Sequence, residues 1–397
     1  MYVYAAINKI TLRFIRESTK VSFEYIKKKF KFDQQRILEW EDTSTSSLPT
    51  INQAKALAKC FRIPFAGLYM NSKDIKFEHI PNLINMRTIH SSNQQDDSVL
   101  NLAVIDLLNA RDLLISTKAE LNEKPINYTP SFYSSTNVSD WADKIRNHFN
   151  IKLSEQYKSS STRQFYLYLK NKIEQHSIFV HCFTGVNLNV ARGLAIYDSK
   201  MPMIGINDDD RYPAKSFTII HELVHIIKQT SAVCNDFYNS FLALQDEVFC
   251  NAVAGEVLVT VKALEIILKH TRPITFTINE IDTLANKFSV SKEVIIRRLL
   301  DLDYIDKIQY DTFASEFKVQ YEKEKEAEKE RHAAGEPSSF RKNPSREAFD
   351  KASLTLCKTL FRGMGEGLLD KQDVSRYLNI GQKHVDKLFH EVSSWDN

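Results

Sequence analysis

The residues best suited to chemistry are two histidines and a glutamate in the run His221-Glu222-Leu223-Val224-His225. Residues four apart share one face of an α-helix, so both imidazoles can reach a single metal ion. Glu222, beside the first histidine, is within reach of a water molecule at that ion. The pattern predicts a zinc hydrolase site in which His221 and His225 bind Zn²⁺ and Glu222 is the general base. With 11 histidines in 397 residues, chance gives about 0.02 occurrences of this pattern.

A zinc site of this kind needs a third protein ligand. The downstream candidates are Asp236, Asp246, Glu247, Glu256 and His270. Glu247 is the best of them, because it lies on the next strongly predicted helix and has Asn251 one turn later. An amide at that position can hydrogen-bond a ligand histidine from outside the metal site. Asp246 and Glu256 would lie on other faces of the helix, which indicates surface charges.

Two further features of the predicted site stay open. An oxyanion-stabilising side chain is expected in a peptidase, and Tyr238 and His181 are possible, but nothing in the spacing selects either. The strand at residues 203–207 precedes the motif by a short loop. It is either a strand that binds the substrate backbone or a plain core strand.

The motif lies in a region where strands and helices alternate, which predicts an α+β domain. Apolar residues surround the two histidines and Pro213 stands near the expected first turn, so a helix is predicted over 214–229 and a second over 241–259. The remaining elements predicted around the motif are strands at 178–183, 194–197 and 203–207, and helices at 99–121, 141–149 and 165–175.

The composition excludes several classes of protein. Hydrophobic residues make up 43% and charged residues 26% of the chain, which is typical of globular domains and not of disordered chains or fibres. No window approaches the roughly 18 apolar residues of a membrane span, and the N-terminus does not resemble a signal peptide. The five cysteines contain no C-x-x-C pair, so neither a disulfide framework nor a thiolate zinc site is predicted. We expect a cytoplasmic protein with no membrane partner.

The first 72 residues are predicted to be five short helices, with Ser22 and Asp33 as N-caps of the second and third. A tight turn between these two helices is typical of a helix-turn-helix bundle. Residues 1–75 hold 13 Lys and Arg against 7 Asp and Glu, whereas the rest of the chain holds 40 against 43. A basic head on a near-neutral body suggests a polyanionic partner.

Double-stranded DNA is the partner that this head predicts. The third helix would present Gln34, Gln35 and Arg36 to a DNA groove, and glutamine can hydrogen-bond adenine with both groups of its amide. The lysines at 27, 28, 29 and 31 could contact phosphates, although such a run is often only a solvated face. The alternative is a module for protein–protein contact or homodimerisation.

The sequence predicts a multidomain, mainly α protein. Ser291 caps one helix of a small module after the motif, a Glu- and Lys-rich helix and a linker follow, and Gly363 to Gly367 interrupt the last helices. The predicted division is 1–72 helix-turn-helix domain, 73–130 connector and long helix, 131–262 metallopeptidase domain, 263–315 small helical module, 316–345 charged helix and linker, and 346–397 C-terminal helical region.

Several blocks of sequence resemble a known family, the ImmA/IrrE zinc metallopeptidases. These are residues 192–197, 202–207, 217–225 and the run Glu247-Val248-Phe249-Cys250-Asn251-Ala252-Val253-Ala254-Gly255-Glu256. The resemblance implies a zincin-like core with Glu247 as third ligand. Val224 stands where the family usually has glycine. Residues 10–70 are similar to Xre/Cro-type helix-turn-helix domains, which are often fused to this peptidase, although the usual glycine between the second and third helices is replaced by Phe30-Lys31-Phe32.

The resemblance implies a zinc endopeptidase that cleaves an Xre-type repressor or another regulatory protein to control gene expression. The alternative is a DNA-binding regulator or antitoxin whose peptidase fold acts as a sensor or as a partner-binding surface. A zinc-stabilised scaffold without catalysis is a further alternative, but such sites usually have four protein ligands, and no fourth is apparent from the sequence.

Overall fold

The computed structural model describes residues 3–75, 94–123, 128, 137–230, 232–234, 244–268, 275–333 and 343–395. This part of the chain is mainly helical, with one four-stranded sheet, as the mainly α prediction required. The predictions that concern Asp236, Tyr238, His270 and the linker after residue 333 lie outside the described residues.

The N-terminal residues form a bundle of short helices: α1 (Lys9–Thr19), α2 (Phe23–Phe30), α3 (Gln34–Glu41) and α4 (Ile51–Cys60), followed by 3-10 turns at Phe65–Tyr69 and Ser72–Asp74. Ser22 caps α2 through its hydroxyl, as predicted, whereas Asp33 occupies the N-cap of α3 without a side-chain hydrogen bond. The helices close around fully buried apolar residues, among them Leu12, Ile15, Ile26, Ile37 and Leu57.

The turn between α2 and α3 is made without glycine. Lys31 takes a left-handed conformation, with φ of 62°, and its backbone N–H caps the carbonyl of Lys27. This conformation is the ordinary place for glycine because a Cβ crowds the backbone there. The Lys31 ammonium donates to the Lys28 carbonyl, so the lysine closes the end of α2 itself.

The long helix α5 (Gln94–Glu120) joins the N-terminal bundle to the rest of the molecule. The Ser22 backbone N–H donates to the buried Ser98 hydroxyl at 3.0 Å, and Arg62 pairs with Asp106 at 3.2 Å. Further along, Leu107 is buried against the sheet. The long helix predicted over 99–121 is therefore present, and it packs against both the N-terminal bundle and the sheet.

The sheet consists of β1 (Phe179–Phe183), β2 (Gly193–Ile196), β3 (Met203–Asn207) and β4 (Ala232–Cys234) in the order β1-β3-β2-β4. β1 and β3 are parallel, and the other pairs are antiparallel. β3 has a strand on each side and all five of its residues are buried. β3 is therefore a plain core strand and not a strand that binds a substrate backbone, because its backbone groups already pair with β1 and β2.

The sheet lies between α5 and α9 (Tyr212–Ile227), the helix that carries the histidine motif. A Cβ on Gly205 would come within 2.7 Å of Leu107 on α5, and a Cβ on Gly193 would come within 2.3 Å of Thr218 on α9. Glycine at these two positions lets a helix approach each face of the sheet closely. The sheet therefore holds α9 at a short, defined distance.

Helices surround this core on the remaining sides. Ser291 caps α13 (Lys292–Asp301), as predicted. The short helices α7 (Leu153–Lys158) and α11 (Val261–Leu268) and strand β4 were not predicted. The further helices are α6 (Val138–His148), α7 (Leu153–Lys158), α8 (Thr162–Glu174), α10 (Leu244–Leu258), α11 (Val261–Leu268), α12 (Ile278–Phe288), α13 (Lys292–Asp301), α14 (Lys307–Ala333), α15 (Pro344–Lys351), α16 (Leu354–Gly365), α17 (Lys371–Tyr377) and α18 (Val385–Ser393).

Candidate metal centre

The helix α9 places the two histidines of the motif on one side. Pro213 stands in its first turn, as predicted, where the missing backbone N–H costs nothing. Every residue from 215 to 227 is buried, so the helix is fixed by packing on all faces. His221 and His225 are one turn apart, and their Nε2 atoms are 3.2 Å from each other.

The third group of the cluster comes from α10. One carboxylate oxygen of Glu247 is 3.1 Å from His221 Nε2, and the other is 3.2 Å from His225 Nε2. Ligands at about 2.0–2.1 Å around a tetrahedral zinc ion lie roughly 3.3 Å apart. The three predicted ligands therefore converge with the donor types and the spacing that a zinc ion requires, and the cluster could hold a metal ion.

The His225 imidazole is held on the side that faces away from the cluster. Thr230 lies just beyond the end of α9; its hydroxyl is 3.2 Å from His225 Nδ1 and donates to the His225 carbonyl. The hydroxyl oxygen can then accept from Nδ1–H, which leaves the Nε2 lone pair for the cluster. Burial lowers the pKa of His221, and Asn251 on α10 opposes part of that shift. The hydrogen bond predicted from Asn251 to a ligand histidine stays a prediction, whereas Thr230 was missed; a hydroxyl residue directly after the motif helix was the available signal.

Burial and charge set the protonation of the cluster. Burial lowers the pKa of His221, so the ring favours its neutral form. Burial alone would raise the pKa of Glu247, but its hydrogen bonds with His221 and His225 outweigh burial and hold that pKa below its usual range. Neutral imidazoles and a charged carboxylate are the forms that bind zinc.

Glu222 lies within the same buried region without being part of the cluster. The residue is fully buried, and neither carboxylate oxygen has a hydrogen-bond partner among the described residues. A Cβ on Gly193 would be 2.7 Å from its Oε1, so the carboxylate packs directly on the β2 backbone. Burial, together with the charge of Glu247, raises the pKa of Glu222 well above its usual value. Sequence reasoning missed Gly193, because nothing local connects it with Glu222.

The other carboxylates of α10 have different roles. Asp246 is exposed and pairs with Lys228 at 2.7 Å, so it is a surface charge as predicted. The same prediction was wrong for Glu256, which is buried and forms an ion pair with Arg298 of α13. Cys250 is 4.0 Å from His225 Nδ1, the nitrogen that faces away from the cluster, and burial raises the pKa of its thiol. Among the described residues, the metal cluster consists of three groups.

His181 lies on β1, and its Nδ1 accepts a hydrogen bond from the Ser353 backbone N–H at 3.2 Å. Burial lowers the pKa of His181 to about 3. This histidine therefore fixes the C-terminal helices to the sheet as a neutral acceptor.

The predicted DNA-contacting residues lie together on the surface of the N-terminal bundle. Gln34, Gln35 and Arg36 form the first turn of α3 and are exposed. Gln34 and Gln35 line a shallow depression with Leu38, Glu39 and Asp42. The Gln35 amide donates to Glu39 at 3.3 Å, so a base would have to compete with that carboxylate.

Residues 183–300 match the IrrE N-terminal-like domain of the Peptidase_M78 family. The matched segment begins at the end of β1, contains the metal cluster and Glu222, and ends in α13. It suggests a metallopeptidase-type function for this part of the chain. A comparison with curated proteins gives no match. No helix in the described parts of the chain is long and apolar enough to cross a membrane.

Proposed function

We propose that this chain is a cytoplasmic zinc-dependent endopeptidase with a DNA-binding head. The observation that carries the proposal is the convergence of His221, His225 and Glu247 beside a buried carboxylate, Glu222, that has no hydrogen-bond partner among the described residues. The match of residues 183–300 to a peptidase family supports the peptidase part of this proposal.

In this proposal His221, His225 and Glu247 hold the ion and Glu222 moves the proton. A bound zinc ion would polarise the scissile carbonyl and acidify water. Glu222 would accept a proton from the attacking water and pass it to the leaving amine, which is general acid–base catalysis. Gly193 would keep the carboxylate beside the cluster, and Thr230 would keep the His225 ring aimed at the ion.

The head extends the proposal to regulation. The exposed first turn of α3 would read base edges through Gln34, Gln35 and Arg36, and the lysines of α2 would contact phosphates. A peptidase held at DNA in this way would act on a regulatory protein such as an Xre-type repressor, with a homodimer as one arrangement on a symmetric site. Binding of the N-terminal bundle to α5 would keep the head and the peptidase in one body.

Metal content of the purified full-length chain tests the site directly. We expect about one zinc ion per chain in the wild type and a loss of zinc in His221→Ala and Glu247→Ala, since each removes one of three ligands. Asp246→Ala is the matched control, because it removes the neighbouring exposed carboxylate and leaves the cluster intact. A wild type without zinc under non-chelating conditions, or equal zinc in all four proteins, would contradict the proposal.

DNA binding by the head needs its own experiment. The full-length chain is expected to select a duplex from a random-sequence pool. The double variant Gln34→Ala, Gln35→Ala should bind that duplex with an affinity about 10-fold lower or more. Gln372→Ala, an exposed glutamine on α17, is the control for loss of an amide elsewhere. If no duplex is enriched, or if the α3 and α17 variants bind it alike, α3 does not read DNA and the head is a protein-contact module.

A further inference from the structure

A cleft of about 620 Å³ lies between α6, the start of α7 and the start of α11. It is separate from the metal centre: helix α10 carries Glu247 in its first turn and reaches the cleft only at Glu256 near its last turn. Its volume is in the range of pockets that hold small molecules, roughly 300–1,000 Å³. Nothing in the peptidase chemistry uses this cleft.

Arg146 of α6 lines the cleft and is 8% exposed. Its Nη1 donates to the Val257 carbonyl at the end of α10, at 2.5 Å, and lies 3.4 Å from the Gln156 amide oxygen. Its Nη2 is buried and has no hydrogen-bond partner among the described residues. Buried donors in native structures almost always form hydrogen bonds, so we expect an acceptor for this nitrogen.

A second buried arginine, Arg298, has the carboxylate partner that Arg146 lacks among the described residues. Arg298 of α13 also donates to a carbonyl at the end of α10, that of Val259, at 3.1 Å, and its Nη2 pairs with the carboxylate of Glu256. The two buried arginines thus have the same task at the same helix end. Arg298 has a carboxylate to complete its hydrogen bonds, and the described residues provide none for Arg146.

The charges around the cleft favour an anion. Lys152 and Lys262 line it and are exposed. The two carboxylates of the lining are already engaged: Glu256 with Arg298, and Asp143 with Lys262 at 3.5 Å. The guanidinium of Arg146 and the ammonium of Lys152 therefore remain as positive charge. A guanidinium presents paired N–H groups that match carboxylate and phosphate oxygens.

We propose that this cleft binds a small anionic molecule through a phosphate or carboxylate group. The anion would pair with the guanidinium of Arg146, which lines the cleft, as the Glu256 carboxylate pairs with Arg298, and Lys152 and Lys262 would face it from the rim. Because the cleft is separate from the metal cluster, this binding does not depend on the peptidase proposal.

The test is a titration of the full-length chain with inorganic phosphate and, separately, with acetate at constant ionic strength, followed by nuclear magnetic resonance of the anion. We expect saturable binding of at least one anion, weakened about 10-fold or more in the double variant Lys152→Gln, Lys262→Gln. The anion that binds identifies the chemistry as phosphate or carboxylate. Arg146→Lys, which keeps the charge but loses the paired N–H groups, should also weaken binding.

The matched control is Lys144→Gln with Lys158→Gln, two lysines on the same helices α6 and α7 that do not line the cleft. It makes the same change in net charge and should bind within about twofold of the wild type, since distant surface charges are screened by salt. Phosphate bound at the metal centre would persist in both double variants. Absence of saturable binding by the wild type, or equal affinity in the two double variants, would overturn the proposal, even if Arg146→Lys failed to fold.

Discussion

Two buried polar regions of this molecule differ in whether their charged side chains have hydrogen-bond partners. At the candidate metal centre, the Glu222 carboxylate is fully buried and has no hydrogen-bond partner among the described residues. At the contact between the C-terminal helices and the core, which we name the docking junction, each buried charged side chain forms hydrogen bonds, although Oε1 of Glu174 has no partner among the described residues. The docking junction consists of Asp350, Ala352, Ser353 and Thr355 from the C-terminal side, and of Arg163, Lys170, Glu174, His181 and Tyr212 from the core.

The hydrogen bonds of the docking junction are numerous. Asp350 accepts from Arg163 at 2.8 and 2.5 Å and from the Tyr212 hydroxyl at 2.5 Å. The Lys170 ammonium donates to the carbonyls of Asp350 and Ala352. One oxygen of Glu174 accepts from the Ser353 hydroxyl and the Thr355 backbone N–H.

The difference distinguishes charged groups that stabilise the packing of the fold from a charged group that is available for proton transfer. Buried charges that are paired and hydrogen-bonded keep two parts of a fold in one arrangement, and removing one partner is costly. A buried carboxylate without a partner weakens the fold but remains free to take a proton. Substitutions in the two regions should therefore fail in different measurements.

The largest effect is expected for Glu222→Gln. Cleavage of labelled casein or of a candidate repressor should fall roughly 10²–10⁴-fold, the contribution of a positioned general base, while zinc content is unchanged. Because burial raises the pKa of Glu222, its charged form weakens the fold, so this variant should be at least as stable as the wild type at neutral pH. Cleavage at the wild-type rate would show that Glu222 is not the base. If the wild type and Glu222→Gln both bind zinc and neither cleaves, the result would favour the alternative of a DNA-binding regulator whose peptidase fold acts as a sensor.

Asp350→Ala should produce the opposite pattern. It leaves Arg163 and Tyr212 without their acceptor in a largely buried place, so the free energy of unfolding should fall by about 3 kcal/mol, measured by urea denaturation. Zinc content should be unchanged. Asp386→Ala is the control, because Asp386 forms an exposed pair with Lys371 and should cost less than about 1 kcal/mol. Similar losses in the two variants would mean that the docking junction does not hold the C-terminal helices.

Gly193→Ala tests the wall behind Glu222. The added Cβ would come within 2.3 Å of Thr218 and 2.7 Å of Glu222, so stability should fall by about 1–3 kcal/mol and cleavage should fall with it as the carboxylate is displaced. Gly365→Ala is the control, since a Cβ there meets nothing within 4 Å. Thermal unfolding and cleavage rates measure both effects; a Gly193→Ala protein that matches the Gly365→Ala protein would contradict the observed packing.

The smallest effect is a pH dependence at the docking junction. The pKa of His181 is about 3 in the folded chain, below the value near 6.5 expected when unfolded. The neutral ring therefore contributes stability that is present above pH 6.5 and is lost as the pH falls towards 3. The loss should be at most about 1.4 kcal/mol per pH unit, reduced because the ring is partly exposed. His181→Asn keeps an acceptor for Ser353 without titrating, so its stability should vary less between pH 6.5 and 5; identical pH profiles would exclude this role.

Local sequence was sufficient for the elements whose signals lie within one turn. The caps at Ser22 and Ser291 and the proline in the first turn of α9 were predicted because a capping group acts on residues three positions away. The helices α7 and α11 were missed because they are short and their stability comes from packing, not from a periodic pattern. Glu256 was misjudged because its partner, Arg298, is 42 residues further along the chain.

The sequence by itself determined the candidate metal centre in outline: the four-residue spacing of His221 and His225 needs only helix geometry, and Asn251 follows Glu247 by the same rule. Only the tertiary structure decided how α10 faces α9 at 3.1–3.2 Å, that Gly193 backs Glu222, and that the C-terminal helices lock onto the core. Spacing within a helix is fixed by the backbone repeat. Contacts between distant segments depend on how all the elements pack at once, and no short stretch of sequence contains that information.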